Sequence, residues 1–96
     1  MLIARVIGST ISTIKNEKLT GRKLLLCRET DETGAMIGKP YVAVDVVDAS
    51  VGDLVLTAHG SSARQTAFTH ESPVDAVIMA VIDHLEVGGE VTYRKT

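Results

Sequence analysis

Apolar residues in this chain come in short runs with a period of two, and turn-forming residues separate the runs. Leu2, Ala4 and Val6 alternate with Ile3, Arg5 and Ile7 at the head of a segment rich in Ile, Val and Thr. Successive side chains of a strand point to opposite faces of its sheet, so the pattern predicts a first strand over Met1 to Thr13. Lys23 to Glu29 predicts a second, and its unbroken Leu24-Leu25-Leu26-Cys27 implies burial on both faces. Tyr41 to Val47 predicts a third, with Val42, Val44 and Val46 on one face and Tyr41, Ala43 and Asp45 on the other. Between these last two, the polar stretch from Thr30 to Pro40 reads as a loop.

Asp48 to Asp53 has turn chemistry, and Leu54 to Ala58 follows as a fourth strand. Gly60-Ser61-Ser62-Ala63-Arg64-Gln65-Thr66 is a loop of small residues able to open a short helical turn. Val74 to Leu85 has the length of a helix or of a buried strand; Val77, Val81 and Ile82 favour the strand. Gly88-Gly89 then predicts a hairpin turn into a last strand, Glu90 to Arg94. Five or six short strands with little helix imply an all-β protein built as a small, nearly closed barrel.

At 96 residues the chain is expected to be one domain, 1–96. A domain of that size buries roughly 60–70% of the surface its unfolded chain exposes, so association is a natural way to cover the remainder. Ten basic and twelve acidic residues are mixed along the chain, net −2, and leave no basic stripe for nucleic acid. The three aromatics, Tyr41, Phe68 and Tyr93, are not interleaved with basic residues as a base-stacking surface requires. No stretch approaches the ~18 apolar residues of a membrane span, and the opening lacks a basic region followed by a long apolar one. The lone Cys27 lies in an apolar run, where it reads as a small buried hydrophobe in a reducing cytosol.

Nothing in the sequence predicts a catalytic or metal site. Ser61 and Ser62 lie near His59, but Gly60-Ser61-Ser62-Ala63-Arg64 lacks the second glycine of a nucleophile elbow. His59, His70 and His84 are not at zinc-ligand spacing, and neither Gly60-Ser61-Ser62 nor Val51-Gly52-Asp53 matches a phosphate- or dinucleotide-binding fingerprint, so no cofactor is expected. Asp45 interrupts an apolar strand, and if buried it needs an arginine or backbone donors as partners.

The ordered set of segments resembles the vertex-protein family of bacterial microcompartments, the CcmL/EutN family, over nearly the whole chain. The resemblance runs through Ala4-Arg5-Val6-Ile7-Gly8, Thr13-Ile14-Lys15 and Leu19-Thr20-Gly21-Arg22-Lys23-Leu24-Leu25, then Ala43-Val44-Asp45. It continues in Val51-Gly52-Asp53-Leu54-Val55-Leu56, Gly60-Ser61-Ser62-Ala63-Arg64, and Pro73-Val74-Asp75-Ala76 running into Val81-Ile82-Asp83. It implies an OB-like barrel that forms a cyclic pentamer, with no enzymatic activity, among hexameric shell proteins in a microcompartment shell within the cytoplasm.

By the same resemblance, Gly60, Ser61, Ser62, Ala63 and Arg64 correspond to the segment near the five-fold axis, around a narrow pore where packing rather than transport is expected. Arg64 is then expected to bridge subunits or brace that loop through Asp45 or Asp75. Thr13, Lys15, Gly21 and Lys23 are expected at a subunit or tile contact. The family commonly has glycine at the positions of Asp48 and Ser50, a departure that bears on the turn before Val51 and not on the barrel. The competing readings are an OB-type binding module for oligonucleotide or sugar, which needs exposed aromatic and basic residues on its face, and a small serine enzyme.

Overall fold

The computed structural model describes residues 1–10, 21–60 and 76–95. Seven strands follow one another: β1 Leu2–Ser9, β2 Lys23–Thr30, β3 Met36–Asp45, β4 Leu54–His59, β5 Ala76–Val81, β6 His84–Val87 and β7 Glu90–Arg94. The first five close into a barrel in the order β1-β2-β3-β5-β4, with β1 also paired to β4, and β6 and β7 form a separate two-stranded sheet. The chain is therefore all-β over the described residues, and the small barrel expected from the sequence is closed, with five strands.

The period-two pattern sets the inside of the barrel. Ala4, Val6, Leu25, Cys27, Val55 and Ile78, all buried, meet in its core. A barrel must bend its strands to close, and a residue inserted against one partner supplies the bend. Such irregularities lie between Val6 and Gly8 opposite β2, between Arg28 and Thr30 opposite β3, and between Leu56 and Thr57 opposite β5. A second cluster, Val44, Ala58 and Val77 with Leu24, Val46 and Met79, lies in the alternate phase of the same strands.

The structure corrects several expectations about the strands. β2 is not buried on both faces: Leu25 and Cys27 are buried, whereas Leu24 and Leu26 are only half-buried. The loop expected over Thr30 to Pro40 contracts to the turn 31–35, because β2 runs to Thr30 and β3 begins at Met36. There β3 takes up Pro40 opposite Arg28. A proline fits because β3 pairs with β5 only at Val44 and Asp45, so its earlier residues have one open edge where no N–H is required. Val46 and Val47 lie beyond the end of β3.

The single strand expected over Val74 to Leu85 is two strands in two sheets. The backbone N–H of Ile82 donates to Leu54 O at 2.8 Å, and the chain then leaves the barrel at Asp83 to start β6. Unbroken apolarity cannot reveal such a bend. Its first residues, Val74 and Asp75, lie outside the described residues, as do the end of the first predicted strand, 11–13, and the helical turn expected after Gly60. The Gly88-Gly89 turn is as predicted: both residues have positive φ, 59° and 85°, as a two-residue hairpin turn demands.

The hairpin is tied back to the barrel. The Arg5 guanidinium lies 5.8 Å from the Tyr93 ring centroid, the Thr92 hydroxyl donates to Glu32 O, and the Lys95 ammonium lies 3.8 Å from Asp53 Oδ1. Gly34, at φ 88°, lies beneath this contact; a Cβ there would come within 3.1 Å of Arg5 Nη2.

Candidate functional site

Two polar constructions stand out in an otherwise apolar barrel. The first is built on Asp45, the last residue of β3, whose carboxylate is fully buried. Strand alternation points it inward, and the chain turns back at once, so two backbone donors converge on it: Val47 N to Oδ1 at 3.0 Å and Ala49 N to Oδ2 at 2.9 Å. Lys23 opens β2 directly opposite Asp45 and places its ammonium 3.3 Å from Oδ2. The same ammonium donates to Asp48 Oδ1 at 2.9 Å and to Ala49 O at 3.0 Å.

Asp48 holds the Lys23 ammonium above its ordinary value, and Lys23 in turn holds the Asp48 carboxyl below the usual carboxylate range. Asp48 has φ 59°, the left-handed region, and it is the only non-glycine among the described residues to do so. Glycine takes that geometry most readily, and aspartate is among the few other residues that tolerate it. The corner is thus a structural brace. Its donors are backbone amides and a lysine, where the sequence had pointed to backbone amides or an arginine.

The second construction is a chain of three side chains at the other end of β3 and β4. The Tyr41 hydroxyl lies 2.9 Å from Thr57 Oγ1, which lies 2.8 Å from His59 Nε2. The Tyr41 and His59 rings meet edge to face with centroids 4.9 Å apart. Thr57 is wholly buried, and Tyr41 stands opposite Cys27 across β2 and β3. Burial pushes the Tyr41 phenol up, against the opposing effect of its bond to Thr57. Burial pushes the His59 imidazolium down, helped by the amino terminus and opposed by Glu29. Sequence reasoning weighed His59 beside Ser61 and Ser62 and as a zinc ligand, set both aside, and passed over Thr57. The signal was present: Thr57 and His59 are two apart on one strand, hence on one face, and Tyr41 belongs to the inward phase of β3.

Of the residues expected at the five-fold axis, Gly60 is described, at φ 60° directly after His59. Ser61, Ser62, Ala63 and Arg64 lie outside the described residues, as do Thr13, Lys15 and Asp75. The suggested ion pairs from Arg64 to Asp45 or Asp75 therefore fall there too. Gly21 is exposed, and Lys23 is engaged with Asp45 and Asp48. Among the described residues no three His, Cys, Asp or Glu side chains are placed to hold a metal ion, and no helix is long and apolar enough to cross a membrane. Met36, Ile37, Val42, Val51, Val87 and Val91 are exposed on the surface.

Residues 1–83 match the family described as "Ethanolamine utilisation protein EutN/carboxysome". The chain belongs to the EutN/CcmL family. Among its relatives, the carboxysome shell vertex protein CcmL of Nostoc sp. is 42% identical over 96 residues, covering 99% of this chain and 95% of the relative. The solved structure of Nostoc CcmL superposes with a TM-score of 0.90 over 99% of this chain and 100% of that one. The shell vertex protein EutN of Salmonella typhimurium is 36% identical over 99% of this chain and 96% of its own length. GrpN of Rhodospirillum rubrum, a pentameric microcompartment shell protein, has a solved structure 40% identical to this chain with a TM-score of 0.80, covering 91% of this chain and 99% of GrpN. EutN/CcmL membership, the all-β class and the barrel thus agree with what the resemblance implied.

Proposed function

We propose that this chain is a non-enzymatic shell protein that caps the five-fold vertices of a bacterial microcompartment, as a cyclic homopentamer set among hexameric facet proteins. The observation that carries the reading is the extent of the match: 42% identity to a shell vertex protein over 99% of the chain, on a barrel that superposes with a TM-score of 0.90. Family kinship reaching both ends of the chain is kinship of the whole object, where a barrel alone would support many functions.

The physical role follows from geometry. A flat sheet of hexamers does not close, and five-fold units introduce the curvature that closes it. In a cyclic ring each subunit offers two different surfaces to its neighbours, and the rotation between them must return to the start. The exposed Val42, Val87 and Val91 supply apolar surface of the kind that subunit contacts cover. We assign Gly60 to Arg64 to the five-fold axis, where small residues let five backbones approach, and Thr13, Lys15, Gly21 and Lys23 to a subunit or tile contact. The protein then resides in the shell, inside the cytoplasm, and its function is shape and edge complementarity.

Co-expression with hexameric shell proteins tests this. Electron microscopy is expected to show closed polyhedral particles with this chain and open sheets or tubes without it. Particles that fail to close in its presence, with every hexamer tried from the same source, contradict the proposal.

A further inference from the structure

The outer face of β2 and β3 carries apolar side chains that the barrel core does not take up. Leu25, Cys27, Ala43 and Asp45 are buried inside, so strand alternation turns Leu24, Leu26 and Arg28 of β2 outward, together with Pro40, Val42 and Val44 of β3. The register sets Leu24 beside Val44, Leu26 beside Val42 and Arg28 beside Pro40. On the other flank of β2, Leu26 faces Gly8 of β1, which has no side chain to cover it. Leu24 and Leu26 are half-buried, Pro40 is exposed, and Val42 is 46% exposed. Arg28 closes this apolar row at one end. Among the described residues its guanidinium meets only Gly38 O, Nε to O 2.9 Å, and no carboxylate.

The β6–β7 hairpin offers a second uncovered surface, of opposite charge. It stands outside the barrel as a sheet of its own. Val87 and Val91 are 48% and 46% exposed, and their cross-strand partners Glu90 and Glu86 are exposed as well. We infer that these surfaces are the two halves of one contact between copies of this chain: the hairpin of one copy lies across Leu26, Pro40 and Val42 of the next, Val87 and Val91 on the apolar row and Glu86 and Glu90 toward Arg28. The inference rests on the ring of the proposed function and names the surfaces that build it. Within one chain the two halves do not meet, since Val42, Val87 and Val91 all stay exposed. A closed ring joins unlike surfaces, and here an apolar row edged by a cation meets an apolar hairpin edged by carboxylates. The contact takes apolar area out of water on both sides and gives Arg28 a carboxylate partner.

Native mass is measured first on the wild type. A protein without a five-subunit ring overturns the vertex reading, and the contact falls with it. Where the ring forms, Val42→Asp is expected to shift the mass from five subunits to one with the circular dichroism of the barrel unchanged; a ring that persists in Val42→Asp overturns the contact and leaves the vertex reading standing. Disulfide trapping decides it without relying on a lost assembly. Chains carrying Val42→Cys are co-expressed with chains carrying Val91→Cys or Val87→Cys and oxidised, while the native Cys27 is buried. A disulfide-linked dimer of the two different chains is expected, and none from Val42→Cys chains alone. A five-subunit ring that yields no mixed dimer with either hairpin position overturns the inference.

Discussion

Asp45 puts a carboxylate where no water reaches it, and three donors, one from β2 and two from the turn after β3, make that tolerable. Removing the acceptor leaves the Val47 and Ala49 amides without partners, and unsatisfied buried groups cost about 1–3 kcal/mol each. Asp45→Ala is expected to lower the unfolding free energy by roughly that amount or more in urea titration, whereas Lys23→Ala, which spares both amides, costs clearly less. Equal losses in the two variants would mean that the ion pair, and not the backbone capping, is the source of the stability. Cys27 gives a second prediction at this scale. Burial pushes its thiol up to about 11, so in the native protein at pH 8 it is expected to resist alkylation that proceeds readily in denaturant. Rapid native labelling, followed by mass spectrometry, would contradict its burial. The burial of Cys27 was legible in the sequence, whereas that of Asp45 was posed only as a condition. The partners of Asp45 were not legible, because they depend on a turn whose Asp48 takes a left-handed conformation that no periodicity encodes.

The strands were legible wherever alternation and breakers agreed, as in β1, β4 and β7 with the Gly88-Gly89 turn before it. They were misread where a breaker sits inside a strand, as Gly38 and Pro40 do in β3, or where apolar residues run through a bend, as at Ile82 and Asp83. Each case turns on a neighbour far along the chain: the open edge of β3 that admits Pro40, and Leu54 O, which captures Ile82 N. The hairpin carries the prediction at this scale. A two-stranded sheet is marginal alone in water, so β6 and β7 depend on Arg5, Glu32 and Asp53 to hold them to the barrel. Tyr93→Ala removes the ring under the Arg5 guanidinium. Hydrogen exchange is expected to speed up across 84–94 and to stay unchanged in β1 to β5, since the barrel closes without the hairpin. Faster exchange throughout the barrel would show that the two sheets unfold together.

At the scale of the molecule, a chain of 96 residues has closed one small barrel and left Val42, Val87 and Val91 facing outward. Under the proposed function the barrel is one fifth of a ring and the exposed apolar surface is covered by the next copy. The barrel could be read from strand spacing alone, but the ring could not. It entered through the ordered motif set, since a heterologous contact leaves no period in the sequence of one subunit. The native mass of the purified protein at low micromolar concentration and neutral pH tests the ring most directly. A dominant species of five subunits is the predicted result, and a protein that stays monomeric on concentration would contradict the vertex assignment.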